Sequence, residues 1–197
     1  MAVHAAGPVD PEAPDLMTWA RTHFDAPGLA PAHRIDKATS GLLLCSPDPR
    51  VRARVGHWLA QGQVHKEYRA LVFGHTHRSG RIDRPLMDRR RGRRLDACTR
   101  FRRLATASQL SYLAVYPETG RKHQIRRHLR GLGHAIVGDT RYGPTHQRPL
   151  PGCPGRLWLH LRQLELPEGL TFEAPLPPAL VAHLERLGIA DTQPSKD

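Results

Sequence analysis

The chain has 197 residues, 39% of them apolar and 6% aromatic, which suffices for one domain with a real core. Its net charge of +12 points to nucleic acid or an anionic surface as partner. No apolar run approaches the roughly 20 residues of a membrane span, and the first eight residues lack the charged start and apolar stretch of a secretion signal. Nucleic acid is therefore the expected partner. Cys45, Cys98 and Cys153 stand alone without a C-x-x-C spacing, as reduced thiols of a cytoplasmic protein do. Thirteen histidines come without an H-E-x-x-H or a carboxylate cluster, so neither a metal nor any other cofactor is expected.

In chain order, residues 1–13 are rich in Ala, Pro and Gly and read as irregular. Asp15 is placed to cap a helix over 16–24, which Pro27 and Pro31 end. Residues 41–45 read as a buried strand. Asp48 and Pro49 then read as N-cap and first position of a helix through Gln61, with Val51, Val55, Trp58 and Leu59 as its apolar stripe. Residues 64–73 alternate and then turn apolar, as a strand entering a core does. Residues 74–103 carry Gly, Pro and a dense arginine run; between Asp88 and Arg103, eight arginines stand against two aspartates, a net +6. This stretch reads as an exposed hairpin or loop. A strand over 110–116 and a basic helix over 121–132 follow, with Thr119 as the helix's expected N-cap. A strand over 157–166 pairs with 170–172, and a helix over 177–187 closes the domain. The pattern predicts a single α+β (mixed α/β) domain over 1–190, a central sheet with flanking helices, and a polar tail over 191–197.

Two segments carry chemistry. The first is His33-Arg34-Ile35-Asp36-Lys37-Ala38-Thr39-Ser40-Gly41-Leu42-Leu43-Leu44. An acid beside fixed cations stays ionised and is available as a nucleophile. The second is Thr119-Gly120-Arg121-Lys122-His123-Gln124-Ile125-Arg126-Arg127-His128-Leu129. Helical spacing over it puts Lys122, Arg126 and Arg130 on one face, from which an arginine can fork onto a carboxylate. Asp36 as a mere turn cap is the competing reading of the residues alone.

The first segment resembles the H-R-[LI]-D-x-x-T-S-G-[LV]-L-L signature of RNA pseudouridine synthases of the RluA type. The second is similar to that family's T-G-R-x-H-Q-[IL]-R-x-H. Gly133-His134-Ala135-Ile136-Val137-Gly138-Asp139-Thr140-Arg141-Tyr142-Gly143 resembles its G-H-P-I-x-G-D-x-x-Y-G, with Ala135 where Pro is usual. Lys66-Glu67-Tyr68-Arg69-Ala70 resembles K-x-Y-x-A, and residues 157–161 and 172–178 resemble L-x-L-H and F-x-A-P-L-P. The matches keep the family's order. The resemblance implies a pseudouridine synthase catalytic domain with a mostly antiparallel sheet and an active-site cleft. Asp36 would be the catalytic aspartate that attacks as the uridine N-glycosidic bond breaks. Tyr68 would lie against the base and move a proton late in the reaction. Arg126 would pair with the aspartate, and Leu42 and Ile125 would pack beneath them. The substrate would be tRNA or rRNA. The second segment is especially similar to its form in bacterial enzymes that modify tRNA near the acceptor stem.

A uridine in structured RNA must flip out to reach a buried aspartate, at a cost of about a few kcal/mol that basic contacts offset. Arg89, Arg90, Arg91, Arg93 and Arg94 are the expected phosphate contacts, with Arg100, Arg102 and Arg103 behind them; Arg34, Lys37, Arg121, Lys122 and His123 are expected to bind RNA around the site. Ala2-Val3-His4 resembles the family's V-x-H, and its opening strand and K-P-x-G loop have no counterpart ahead of it. A sheet edge left unpaired is the expectation there. A binding-only relative is the rival reading, and a monomer is the expected state.

Overall fold

The computed structural model describes residues 15–144, 150 and 152–191. The irregular segment 1–13, the Val3-His4 match and the tail beyond residue 191 lie outside them.

Local chemistry starts each helix. In α1 (Leu16–His23), the Asp15 carboxylate accepts the N–H groups of Met17 at 2.9 Å and Thr18 at 3.2 Å, two donors that a helix start otherwise leaves orphaned. Three two-residue strands follow: β1 (Ala30–Pro31), β2 (Ser40–Gly41) and β3 (Cys45–Ser46). In α2 (Pro49–Ala60), Asp48 accepts from Arg50 N at 2.7 Å and Pro49 presets the first turn. Val55 and Trp58 are buried on α2, whereas Val51, one turn earlier, is exposed. The main strands are β4 (His65–Phe73), β5 (Ser79–Asp83), β6 (Leu86–Asp88), β7 (Arg93–Leu95), β8 (Cys98–Ala107) and β9 (Leu110–Pro117). After α3 (Gln124–Gly131) come β10 (Leu159–Glu165), β11 (Thr171–Glu173) and α4 (Pro178–Arg186).

The central sheet runs β11-β10-β4-β9-β8-β5, antiparallel throughout, and β2 pairs parallel with β10. With four helices this is the α+β architecture expected. Two small hairpins, β1–β3 and β6–β7, stand outside the sheet. One apolar cluster contains Leu71, Tyr112, Leu129 and Trp158; a second contains Leu42, Trp58, Leu161 and Leu164. Tyr68 packs against both. Among the described residues, no helix is long and apolar enough to cross a membrane.

Three expectations are corrected. Residues 41–45 are not one strand: Gly41 pairs with Leu161 of β10, and the chain then leaves that sheet so that Cys45 pairs with Pro31. The stretch 74–103, read as an exposed hairpin or loop, does hold an exposed hairpin, β6–β7, but it also holds β5 and the first half of β8 in the central sheet. Its arginine density hid a period of two: Thr99 and Phe101 point inward while Arg100 is exposed. The basic helix begins at Gln124 rather than Arg121, and Thr119 does not cap it.

Candidate active site

Asp36 sits at the tip of a loop whose two ends are clipped together. Pairing of β1 with β3 closes its base, and Ala32 N–H donates to Leu44 O at 2.8 Å. His33 Nε2 accepts from Leu44 N at 3.0 Å. Burial lowers the His33 pKa to about 4, with the nearby Lys66 charge adding to the effect, so the ring stays a neutral acceptor. Past the tip, Thr39 N–H donates to Asp36 O at 2.8 Å. Ser40 is wholly buried and its hydroxyl lies 2.9 Å from His160 Nδ1; His160 Nε2 in turn lies 3.1 Å from Ala174 O. A carbonyl only accepts, so His160 donates from Nε2 and accepts from Ser40 at Nδ1. Gly41 has φ +114°, and a Cβ there would lie 2.2 Å from Leu161 O. Only glycine lets the backbone approach β10 this closely. The Thr-Ser-Gly run and the closing Leu-Trp-Leu-His segment thus form one anchor for the aspartate.

The facing wall is the segment 119–126. Its pin is Gln124, which is buried. Gln124 Oε1 accepts from Thr119 Oγ1 at 2.7 Å and Arg121 N at 3.0 Å, and its Nε2 donates to Cys98 O at 2.8 Å and Thr99 Oγ1 at 3.0 Å. This staple holds 119–123 as a loop on β8 and explains why no helical turn forms there. His123 enters α3 in the left-handed region, φ +53° and ψ +32°. A non-glycine residue in that region is uncommon and marks a constrained position. Its Nε2 lies 3.8 Å from Asp36 Oδ1, and its Nδ1 lies 3.0 Å from the Tyr142 hydroxyl. Burial lowers the His123 pKa; the Asp36 charge opposes this, and Arg126 and other cations reinforce it.

Arg126 faces two carboxylates. Its fork lands on Asp139, not on Asp36: Nε reaches Asp139 Oδ2 and Nη2 reaches Oδ1, both at 2.8 Å. The remaining nitrogen, Nη1, lies 3.6 Å from Asp36 Oδ2. Asp139 also accepts the backbone N–H groups of Arg141 and Tyr142, each at 2.9 Å. Burial pushes the Asp139 carboxyl up, but the Arg126 fork and the two N–H bonds outweigh it and hold it below the usual carboxylate value. The Arg126 guanidinium also lies over the Tyr142 ring, 5.0 Å from its centroid. Sequence reasoning assigned Asp139 and Tyr142 no role. An acid soon after the apolar run Ala135-Ile136-Val137 is a buried carboxylate in need of a cation, and that signal pointed to it.

Between the walls lies a cleft of about 570 Å³. It brings together Asp36, Tyr68 and Arg126 with Arg34, Arg121, Lys122 and His123. Burial, with the Asp36 charge adding to it, pushes the Tyr68 phenol far above its usual pKa. Arg34, Lys37 and Lys122 are exposed. Arg121 is partly committed, since its Nε donates to Asp96 O at 2.8 Å.

The hairpin arginines stand apart from these. Arg89, Arg90, Arg91, Arg93 and Arg94 are all exposed at the tip of β6–β7, where Asp88 Oδ1 accepts from Arg90 N at 2.9 Å and Gly92 adopts φ +63°. The hairpin's base is tied to the cleft wall by Arg127 to Met87 O at 3.2 Å and His128 Nε2 to Arg84 O at 2.9 Å. Arg100 and Arg103 are not available to phosphate in the same way: Arg100 Nε pairs with Glu118 at 2.7 Å and Arg103 donates to Thr76 O.

Residues 3–130 match the RNA pseudouridylate synthase family. The chain is 35% identical to tRNA pseudouridine synthase C of Haemophilus ducreyi, over 73% of this chain and 68% of that protein. It is 35% identical to ribosomal large subunit pseudouridine synthase D of Zymomonas mobilis, over 59% of this chain and 39% of that protein. The solved structure of human RNA pseudouridylate synthase domain containing 4 superposes with a TM-score of 0.73 at 27% identity, covering 87% of this chain and 81% of that one. The sheet, the four helices and the two motif-bearing walls of the cleft are those of an enzyme, and the chain belongs to the RNA pseudouridylate synthase family.

Proposed function

We propose that the chain converts uridines in structured RNA to pseudouridine with Asp36 as nucleophile. A single observation carries this reading: the Asp36 carboxylate lies in the cleft 3.6 Å from a guanidinium that Asp139 holds rigid. One Asp36 oxygen attacks C1′ of a flipped uridine, and the N1–C1′ electron pair leaves with the base. The base turns in the cleft, C5 takes C1′, and the Asp36–C1′ bond breaks. The C5 proton then passes to a base, N1 gains a proton in its place, and pyrimidine unsaturation is restored. Tyr68, held as a phenol by burial, contacts the base as a donor and not as the proton acceptor. The freed Asp36 carboxylate, with neutral His123 3.8 Å from it, takes that proton. Keeping the base in a walled cleft excludes the water that would turn cleavage into hydrolysis.

The exposed arginines of the β6–β7 tip grip phosphate beside the cleft and offset the cost of flipping. The substrate is tRNA or rRNA, and tRNA is the first to test given the H. ducreyi relative's name. The test is tritium release from RNA labelled at uridine C5. Release by the wild type that falls to background in Asp36→Asn supports the reading. RNA binding without release, on both tRNA and rRNA transcripts, assigns a binder instead.

A further inference from the structure

A β-strand sends alternate side chains to opposite faces. On β4, Glu67 and Arg69 face away from the cleft and pair with each other, and Arg69 reaches Asp191 at 3.4 Å. Lys66 and Tyr68 share the other face and line the cleft. Tyr68 has a role above; Lys66 has none. Its side chain is partly buried, and among the described residues its ammonium makes no ion pair or hydrogen bond. Neutral His33 is near it, and Leu59, Ala60 and Val64 line the same cleft. Burial alone lowers its pKa. A half-desolvated cation with no carboxylate partner is costly unless an anion arrives with the substrate.

The anion that reaches this depth is not backbone phosphate. Arg34 and Lys122 are exposed cations of the cleft lining, open to an RNA backbone, whereas Lys66 is partly buried on the strand beside Tyr68, the residue that contacts the base in the reading above. Breaking N1–C1′ turns that base into an anion, with the charge spread from N1 onto its carbonyl oxygens. We propose that Lys66 is a catalytic residue that stabilises the departing uracil by donating a hydrogen bond from its ammonium to a carbonyl oxygen that carries part of the anionic charge.

This rests on the synthase reading above. No proton is transferred: Nζ keeps its three hydrogens, the bond strengthens as N1–C1′ breaks, and it weakens as the same charge is consumed in forming C5–C1′. Preorganised charge in a low-dielectric site acts on the step in which charge develops. Lys66 therefore affects the rate of turnover more than the grip on RNA.

The test compares wild type, Lys66→Met and Lys66→Arg on 5-tritiated tRNA transcripts under single-turnover conditions, with RNA affinity by filter binding. Lys66→Met is expected to lower the rate about 10²-fold with Kd for RNA within about twofold, and Lys66→Arg to recover part of the loss. A Lys66→Met enzyme with unchanged rate, or with weakened Kd and unchanged rate, overturns the proposal; the second result assigns a phosphate contact. A second arm does not depend on turnover. The 5-nitrouracil anion, a mimic of the departing base, is expected to bind wild type about tenfold more tightly than Lys66→Met. Equal binding overturns the role of Lys66 whatever the RNA assay shows; tighter binding by the wild type with no tritium release from any RNA shows that Lys66 binds an anionic base and that the synthase reading is what fails.

Discussion

The molecule has two basic regions built on opposite plans. The cleft wall commits its arginine: Arg126 is 6% exposed and spends two nitrogens on Asp139, leaving one to face Asp36. The β6–β7 tip commits nothing: its five arginines stand in solvent around a turn that Asp88 and Gly92 shape. The same side chain is thus presented in two ways, and the proposed function gives each way its own job. Where a charge must hold one atom of a reacting group in place, it is buried, forked and paired. Where it must attract a polyanion of varied shape, it is free and solvated. A basic sequence run by itself does not say which of these it is.

Removing the wall's counter-charge is the strongest way to break the contrast. Asp139→Ala leaves a guanidinium buried and unpaired, which costs about 3–5 kcal/mol. A large fall in Tm together with loss of tritium release is the expected result; a Tm near wild type would mean that the wall is not pinned by this pair.

Acid probes the opposite wall. The folded-state pKa of His33 is about 4, below its ordinary value of 6.5. The unfolded chain therefore binds more protons between those values. The stability from this group is complete above pH 6.5 and is lost as pH falls toward 4, on the order of 1 kcal/mol at pH 5 after allowing for partial solvent access. Denaturant melts at pH 7 and pH 5 should show a smaller acid loss in His33→Gln than in wild type. An equal loss would place the acid sensitivity elsewhere.

The tip should respond least in stability and most in salt. Changing Arg89, Arg91, Arg93 and Arg94 together to Gln should alter stability by no more than about 0.5 kcal/mol. RNA binding should weaken, and the slope of log Kd against log salt should become shallower by about 0.7–0.9 for each phosphate no longer neutralised. An unchanged slope would show that the tip does not touch RNA.

The fold was largely legible. Asp15 and Asp48 marked two helix starts because a carboxylate at an N-cap satisfies N–H groups within its own turn, a local event. The strand over 64–73 was legible because its apolar second half is the part the core buries. What failed was non-local. Gln124 prevents a helical turn at 121–123 by bonding to Cys98 and Thr99, more than twenty residues away. Gly41 is held against β10, and the chain leaves that sheet after it.

By itself the sequence determined the chemical inventory: an aspartate in a tight loop, a tyrosine on a core strand, a basic segment and an excess of arginine. Those follow from residue identity and local spacing. Only the tertiary structure decided which carboxylate Arg126 grips, that His123 bridges Asp36 and Tyr142, and that Lys66 faces the cleft without a partner among the described residues. Charge falls off over ångströms of space and not over positions in the chain. Partners 13 residues apart, as Arg126 and Asp139 are, become a pair only when a helix and a turn are packed side by side.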